Sequence, residues 1–447
     1  MNVRSVRSCF SMEYGLVLSG GGTMGSFEIG VWKALKELNI DVTAVGGTSV
    51  GAINSAIIAQ SNLDWAIEFW TNLSMDQVFD VNKLVTDKYI SEWSTFDFKT
   101  FATAFKNYLF EGGIDISPLR DNLTKYIDEE KIRNSSIRLG LVTVSLTNFK
   151  PLELMIEQIP KGKLIDYLLA SAAFPAFKKH EIEGSTFVDG GFYDNLPINL
   201  LASQGYKNLI TVELPAPGIK AKSKFKDLNI IHIKNSEHLG LFFDFSPKVM
   251  KRNIDMGYLD TLKKFNRVKG TNYYINLDKE DIAYNKFRRK LGSFLKGENG
   301  IKLPSLLGSD AILSKSELIK EIAKHVNYTQ YKNNDIPLSM LEITARNLDI
   351  DRLKIYTPSE LIKEIFETVN KLLKENIDLI KSNDNIVDIF KKTNELTINP
   401  LTNIKFMAYY MYFISLNANS LNLLSKLVCK FSPEIILSII TLLYLTE

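Results

Sequence analysis

The sequence predicts an α/β fold: a three-layer α/β/α sheet domain followed by a mostly α-helical C-terminal region. Three observations carry this. Two strand–turn–helix units stand in tandem near the N-terminus, each with a glycine-rich turn. Short apolar runs of strand length recur from Ile137 to Leu277, with helical patterns between some of them. Beyond about residue 278 strands give way to helical periodicity. The domains are therefore set at 14–278, with the motifs in 14–204, and at 279–447.

In chain order, Tyr14–Leu18 reads as a buried strand. Ser19-Gly20-Gly21-Gly22-Thr23-Met24-Gly25 follows, then a helix through Ile29, Val31, Trp32, Leu35 and Leu38. A glycine loop opening a helix aims several amides at one point, ready for an anion. Gly20-x-Gly22-x-x-Gly25 fits a dinucleotide fingerprint, which requires an acidic residue ending the second strand to hold a ribose. That strand ends instead in Gly46-Gly47-Thr48-Ser49, and Asp41 lies before it. A phosphate-binding loop needs Gly-Lys-Ser/Thr, and Ser26-Phe27 follows Gly25. No nucleotide is expected. The remaining readings are an oxyanion hole, with the Gly21 and Gly22 amides facing a neighbouring strand end, or a tightly packed turn.

Val42–Val45 is the second strand. It runs into Gly47-Thr48-Ser49-Val50-Gly51 and then a helix over Ala52–Ala59. Strand, sharp turn and helix put Ser49 at the apex in a strained conformation, with its Oγ clear of the sheet. Gly47 and Gly51 flank it because a Cβ at either position would clash as the chain doubles back.

From Leu63 to Ile132 the pattern is helical and rich in aromatics, among them Trp65, Phe69, Trp70, Phe79, Tyr89, Trp93 and Phe110. Core packing over the sheet is one reading, and a lid or acyl-chain groove the other. Ile137–Ser145 alternates like a strand. Leu164–Ala170 starts a helix that Ser171-Ala172-Ala173-Phe174-Pro175 ends. Thr186–Val188 is another short strand, and Asp189-Gly190-Gly191 follows it directly. A hydroxyl needs a base. None of His180, His232, His238 and His325 stands in a glycine-framed turn. Asp189 at a strand end is placed to accept a serine proton, although Asp-Gly is also an ordinary turn signal.

Taken as a set, the four blocks 19–25, 47–51, 171–175 and Asp189-Gly190-Gly191-Phe192-Tyr193-Asp194-Asn195-Leu196-Pro197 resemble, in order and spacing, those of the patatin-like phospholipases. The resemblance covers about residues 14–200. It implies a Ser/Asp dyad acting on fatty-acyl esters through an acyl-enzyme without metal or other cofactor. Ser49 is then the nucleophile, Asp189 the base, and Gly20, Gly21, Gly22 and Gly25 the oxyanion loop. Family members often carry Arg or Lys where this chain has Met24, so a charge beside the hole is missing here. The expected substrate is a phospholipid or another fatty-acyl ester. A soluble carboxylesterase or thioesterase, or a non-catalytic lipid-binding scaffold, is the alternative.

Composition is that of an ordinary globular protein. Of 447 residues 45% are hydrophobic and 23% charged, an ordinary soluble balance. Cys9 and Cys429 are the only cysteines, which excludes a disulfide framework and suits a reducing compartment. Ser8, Ser11 and Glu13 interrupt any signal-peptide core behind Arg4 and Arg7, and no run reaches the roughly 18 apolar residues of a membrane span. The expected location is cytoplasmic, with peripheral membrane contact. Net charge is +3, but Pro215–Lys290 holds 17 Lys or Arg against 8 Asp or Glu. Lys220, Lys222, Lys224 and Lys226 are either a solvated loop or an attraction to anionic lipid. No nucleic acid is expected. In the C-terminal region, Ser314-x-x-Glu317 and Thr357-Pro358-Ser359-Glu360 read as capping boxes. Ile435–Leu445 is apolar on all faces and reads as buried, with embedding in a membrane surface as the alternative.

Overall fold

The computed structural model describes residues 12–80, 113–277, 281–296, 336–381 and a few positions between 437 and 445. The aromatics from Tyr89 to Phe110, His325, both cysteines and the Ser314 capping box lie outside the described residues. The chain divides into two compact units, Met1–Lys264 and Phe265–Glu447.

The first unit is built on a mixed sheet. Its strands are β1 (Tyr14–Leu18), β2 (Val42–Thr48), β3 (Arg138–Ser145), β4 (Lys150–Met155), β5 (His180–Ile182), β6 (Ser185–Asp189), β7 (Asn208–Glu213) and β8 (Asn229–Lys234). They run in the order β5-β6-β3-β2-β1-β7-β8, with β4 also on β3. β1, β2, β3, β7 and β8 are parallel, whereas β4 and β6 run antiparallel to β3. The helices of this unit that bear on the site are α1 (Ser26–Glu37), α2 (Val50–Ala59), α3 (Leu63–Asn72), α4 (Leu164–Ser171) and α5 (Ile198–Ala202).

The apolar strand runs follow from burial on both faces. Val17, Ala44, Val142 and Leu209 pack with Leu200 and Leu201 of α5 on one side. Leu16 and Leu18, one residue either way along the pleat, are fully buried on the other. On β2 and β3, α2 supplies packing.

Strand β3 organises the site. Residues 140–142 pair with β2 and β4 together, and 143–145 pair with β4 and β6 together. A strand has two edges, so β2 and β6 share one of them and meet end to end. Thr48 pairs with Val142 and Asp189 with Thr143, the next residue. The chain therefore delivers Ser49 and Asp189 to the same point from opposite directions.

In the second unit, α6 (Ile282–Lys296), α7 (Ile336–Asn347) and α8 (Pro358–Lys381) accompany a two-stranded sheet, β9 (Tyr274–Ile275) with β10 (Ile355–Tyr356). The sequence places the boundary at 278, with Tyr273–Leu277 in the first domain. The structure pairs this strand with residues some 80 positions later, inside the second unit. The Thr357 capping box forms, with Thr357 N–H donating to Glu360 Oε2 at 2.7 Å and Glu360 N–H to Thr357 Oγ1 at 3.2 Å. Of the C-terminal apolar run, Leu437, Ser438, Thr441 and Leu442 are buried. Among the described residues no helix is long and apolar enough to cross a membrane.

Leu200 packs beneath Gly46 and Gly140, the strand positions leading into the site. Leu200→Ala is expected to cost about 2–5 kcal/mol of stability by leaving a cavity there. Urea denaturation monitored by far-UV circular dichroism checks this, and a loss under 1 kcal/mol contradicts it.

Candidate active site

Ser49 sits between β2 and α2 with φ 57° and ψ −125°, a left-handed conformation rare for a side chain of any size. The flanking glycines permit it by close approach. A Cβ on Gly47 would stand 2.3 Å from the Gly51 carbonyl, and one on Gly51 would stand 2.6 Å from Leu18 O. Hydrogen bonds between side-chain hydroxyls and the backbone then lock the turn. Ser49 N–H donates to Ser171 Oγ at 2.9 Å, and Ser171 Oγ donates to Val142 O at 2.7 Å. Thr48 Oγ1 donates to Asp194 O at 2.7 Å. Ser49 is partly exposed among neighbours that are almost all buried.

Asp189 meets it from the end of β6. Its carboxylate accepts the Gly191 N–H at 2.8 Å, and the Ser49 side chain lies close enough to favour its charged form. Its own N–H donates to Ala173 O at 2.9 Å. The Ser171–Phe174 segment thus holds the backbone of both residues, a role its sequence did not announce. Burial raises Asp189 to about 6, against the weaker opposing effect of the nearby Ser49 side chain and the Gly191 N–H.

Two further carboxyls beside the site are raised by the same cause. Asp194 reaches about 6, with Leu196 and Ala221 amides donating to one oxygen and no partner on the buried other. Glu28 on α1 is fully buried and lies well above the usual range. It accepts from Asn54 Nδ2 at 2.8 Å, and Asn54 Oδ1 accepts from Trp70 Nε1 at 2.9 Å.

The glycine loop turns toward Ser49. A Cβ on Gly20 would come within 3.1 Å of Ser49 Cβ. Gly20 N–H is already donated to Asn195 O at 3.2 Å. Among the described residues the Gly21 and Gly22 amides find no backbone acceptor. Gly22 has φ +57°, and a Cβ there would meet Phe242 O at 2.2 Å. Gly25 packs against Val50 of α2 and its carbonyl accepts from Asn54 Nδ2 at 2.9 Å.

An apolar cavity opens over Ser49, with Gly22 and Thr23 on one side of it. Ile53, Trp70, Leu73 and Val78 form one wall, and Phe174, Phe177, Phe242, Phe243 and Phe245 another. Phe242 and Phe243 meet edge to face at 4.8 Å, and Phe79 packs on Phe243 at 5.4 Å. The aromatic stretch after Leu63 divides between the two readings: Phe69 and Trp70 line the cavity, whereas Trp65 stacks on Tyr126. The 242–245 wall went unread, although three phenylalanines in four residues of a loop are a visible signal. The described histidines are engaged elsewhere: His180 with Asp166 O, His232 with Thr211 Oγ1 and His238 with the Gly240 amide.

Residues 16–202 match the family model for patatin-like phospholipase, spanning all four motif blocks. This segment is a patatin-like phospholipase domain. Among curated proteins the chain is similar to lysophospholipase NTE1 of Mycosarcoma maydis, 26% identical over 47% of this chain and 10% of that protein. It is also similar to patatin-like phospholipase domain-containing protein 7 of Rattus norvegicus, 24% identical over 44% of this chain and 13% of that protein. The match thus spans only a small fraction of these relatives' length. VipD from Legionella pneumophila, a solved structure, aligns at 15% identity and TM-score 0.38 over 91% of this chain and 92% of that one.

A buried carboxylate with a raised pKa has a defined effect on stability. An unfolded Asp titrates at 3.8 and folded Asp189 at about 6, so its contribution favours folding below 3.8 and is lost as pH rises through about 6. Asp189→Asn removes the buried charge. It should be more stable than the wild type at pH 8, by on the order of 2–3 kcal/mol, with the difference fading toward pH 4. Guanidinium denaturation at both pH values tests this, and an equal or lower midpoint for the variant at pH 8 refutes it.

Proposed function

We propose that the patatin-like domain is a serine acyl hydrolase of phospholipase A or lysophospholipase type, with Ser49 and Asp189 as a catalytic dyad. The family supports lipid hydrolysis in general. The observation that carries the finer reading is the meeting of Ser49 and Asp189 at the facing ends of β2 and β6, with Ser49 lining an apolar, aromatic-walled cavity. In this reading Asp189 takes the Ser49 proton as Oγ attacks the acyl carbonyl. The Gly21 and Gly22 amides receive the oxyanion, each stabilising the transition state by about 3 kcal/mol. The leaving alcohol departs with a proton from Asp189, and water, deprotonated by Asp189, releases the fatty acid from Ser49. The phenylalanine wall takes the acyl chain by hydrophobic burial.

Ser49→Ala and Asp189→Asn are each expected to bring hydrolysis to near background, non-additively, because the two act as a unit. A fluorophosphonate probe should label wild type at Ser49, which separates an enzyme from a lipid-binding scaffold. Rates on short soluble esters well above those on phospholipid vesicles would favour the carboxylesterase alternative. Because the base must be ionised, kcat/KM should rise with pH through about 6. Asp194 titrates in the same range, so the limb should persist in Asp194→Asn if Asp189 is its source.

The membrane partner in this reading is an anionic bilayer, met peripherally by a cytoplasmic protein. Lys222, Lys224 and Lys226 are exposed on the loop after β7, together with Phe225, and among the described residues no carboxylate lies within ion-pair distance of them. Lys220 belongs to a different arrangement, since Glu213 binds it and Lys234 together. Three lysines at about 1 kcal/mol each give a reversible, salt-sensitive attraction. Changing all three to Ser should weaken binding to phosphatidylglycerol-containing vesicles at low salt and leave turnover of a soluble ester unchanged. Undiminished vesicle binding removes the loop from the reading.

A further inference from the structure

Asn195 lies between Asp189 and α5 and is 2% exposed. Its bonds reach across to the glycine loop. Asn195 Nδ2 donates to Gly20 O at 3.2 Å, and Asn195 O accepts from Gly20 N–H at 3.2 Å. One residue therefore holds Gly20 on both sides.

The carbonyl contact has a consequence for chemistry. Gly20 C=O and Gly21 N–H are the two ends of one peptide plane, and no cis peptide is present among the described residues. In a trans peptide the two groups point in opposite directions. Fixing the carbonyl on Asn195 therefore fixes the Gly21 amide away from it. Steric contacts tighten the arrangement. A Cβ on Gly20 would lie 2.4 Å from Asn195 Oδ1, and one on Gly191 would lie 3.1 Å from the same atom and 3.0 Å from Asp189 Oδ1. The Asn195 side chain thus fills the space between the glycine loop and the Asp189 turn, beside Ser49. From behind, Ile219 O accepts the Asn195 N–H at 2.6 Å, and Gly218 is packed against its Cβ.

We infer that Asn195 is a positioning residue that sets the direction of the Gly21 amide, and so aligns the oxyanion donor with the Ser49–Asp189 pair. The inference rests on the serine-hydrolase reading above. An asparagine suits the place because the carbonyl needs a neutral donor. Ionised aspartate has the size and lacks the donor, so Asn195→Asp is read at pH 8, above the range of its buried neighbours.

Asn195→Asp and Asn195→Ala both remove the Nδ2 donor, one keeping the volume and one not, so either carries the test if the other fails to fold. For each, kcat on a soluble ester should fall about 100-fold, the scale of one lost oxyanion donor, while KM stays within about threefold. Affinity for a trifluoromethyl ketone, whose adduct carries an oxyanion, should fall in parallel with kcat, and the melting temperature of the folded variant should change little. Ketone affinity and kcat near wild type in a folded variant overturn the assignment, as does a loss of kcat that tracks only a loss of folded protein. Failure of fluorophosphonate to label wild-type Ser49 overturns the hydrolase reading and this assignment together. Normal wild-type labelling with unimpaired labelling of Asn195→Asp overturns the assignment alone.

Discussion

The structure of this domain depends on one strained residue. Ser49 is held at positive φ, which costs about 1–3 kcal/mol and persists only where the surroundings over-determine it. Here they do so from every side. The Ser171 hydroxyl takes its amide, Asp194 anchors the preceding threonine, and two side-chain-free positions let the chain cross itself. The apolar sheet on which these anchors stand is rigid because it is buried on both faces. A looser sheet would let the turn relax and withdraw the hydroxyl.

Electrostatically the site is a dry place that holds carboxyls. Glu28, Asp189 and Asp194 are all pushed upward by burial rather than by neighbouring charge, although a minor repulsion from Glu153 adds to the effect on Asp194. Of the three, Asp189 is the one beside the Ser49 side chain, which favours its charged form. Glu28 acts differently. Hydrogen-bonded to Asn54, which in turn holds Trp70, it links α1 to the Trp70 wall.

The parts of the fold set by local pattern were legible in the sequence. Both glycine turns, the strands leading into them and the strand ending in Asp189 fall where periodicity and turn residues place them, and the Thr357 cap forms as its spacing implies. Long-range pairing was not legible. Nothing local in Tyr273–Leu277 says that its partner is Ile355–Tyr356 rather than the main sheet. The short β5 and the antiparallel β4 carried too little alternation to stand out. Ser171 and Asn195 look like ordinary small polar residues until the backbone atoms they hold, on Ser49 and Gly20, are brought beside them by the fold.

The end-to-end meeting of β2 and β6 along one edge of β3 has a mechanical meaning. The spacing between Ser49 and Asp189 is a property of two backbone ladders read off consecutive residues, Val142 and Thr143, rather than of side-chain reach. A ladder moves in whole steps of about 3.3 Å, and a single step also turns Asp189 to the opposite face. The geometry is therefore digital: it is kept whole or lost whole. The excursion from Leu146 to Gly184 leaves β3 and returns to the same strand, and within it Ser171 and Ala173 tie the ends of both ladders together. The segment that walls the cavity at Phe174 and Phe177 is therefore also the clamp that keeps the two strand ends in register.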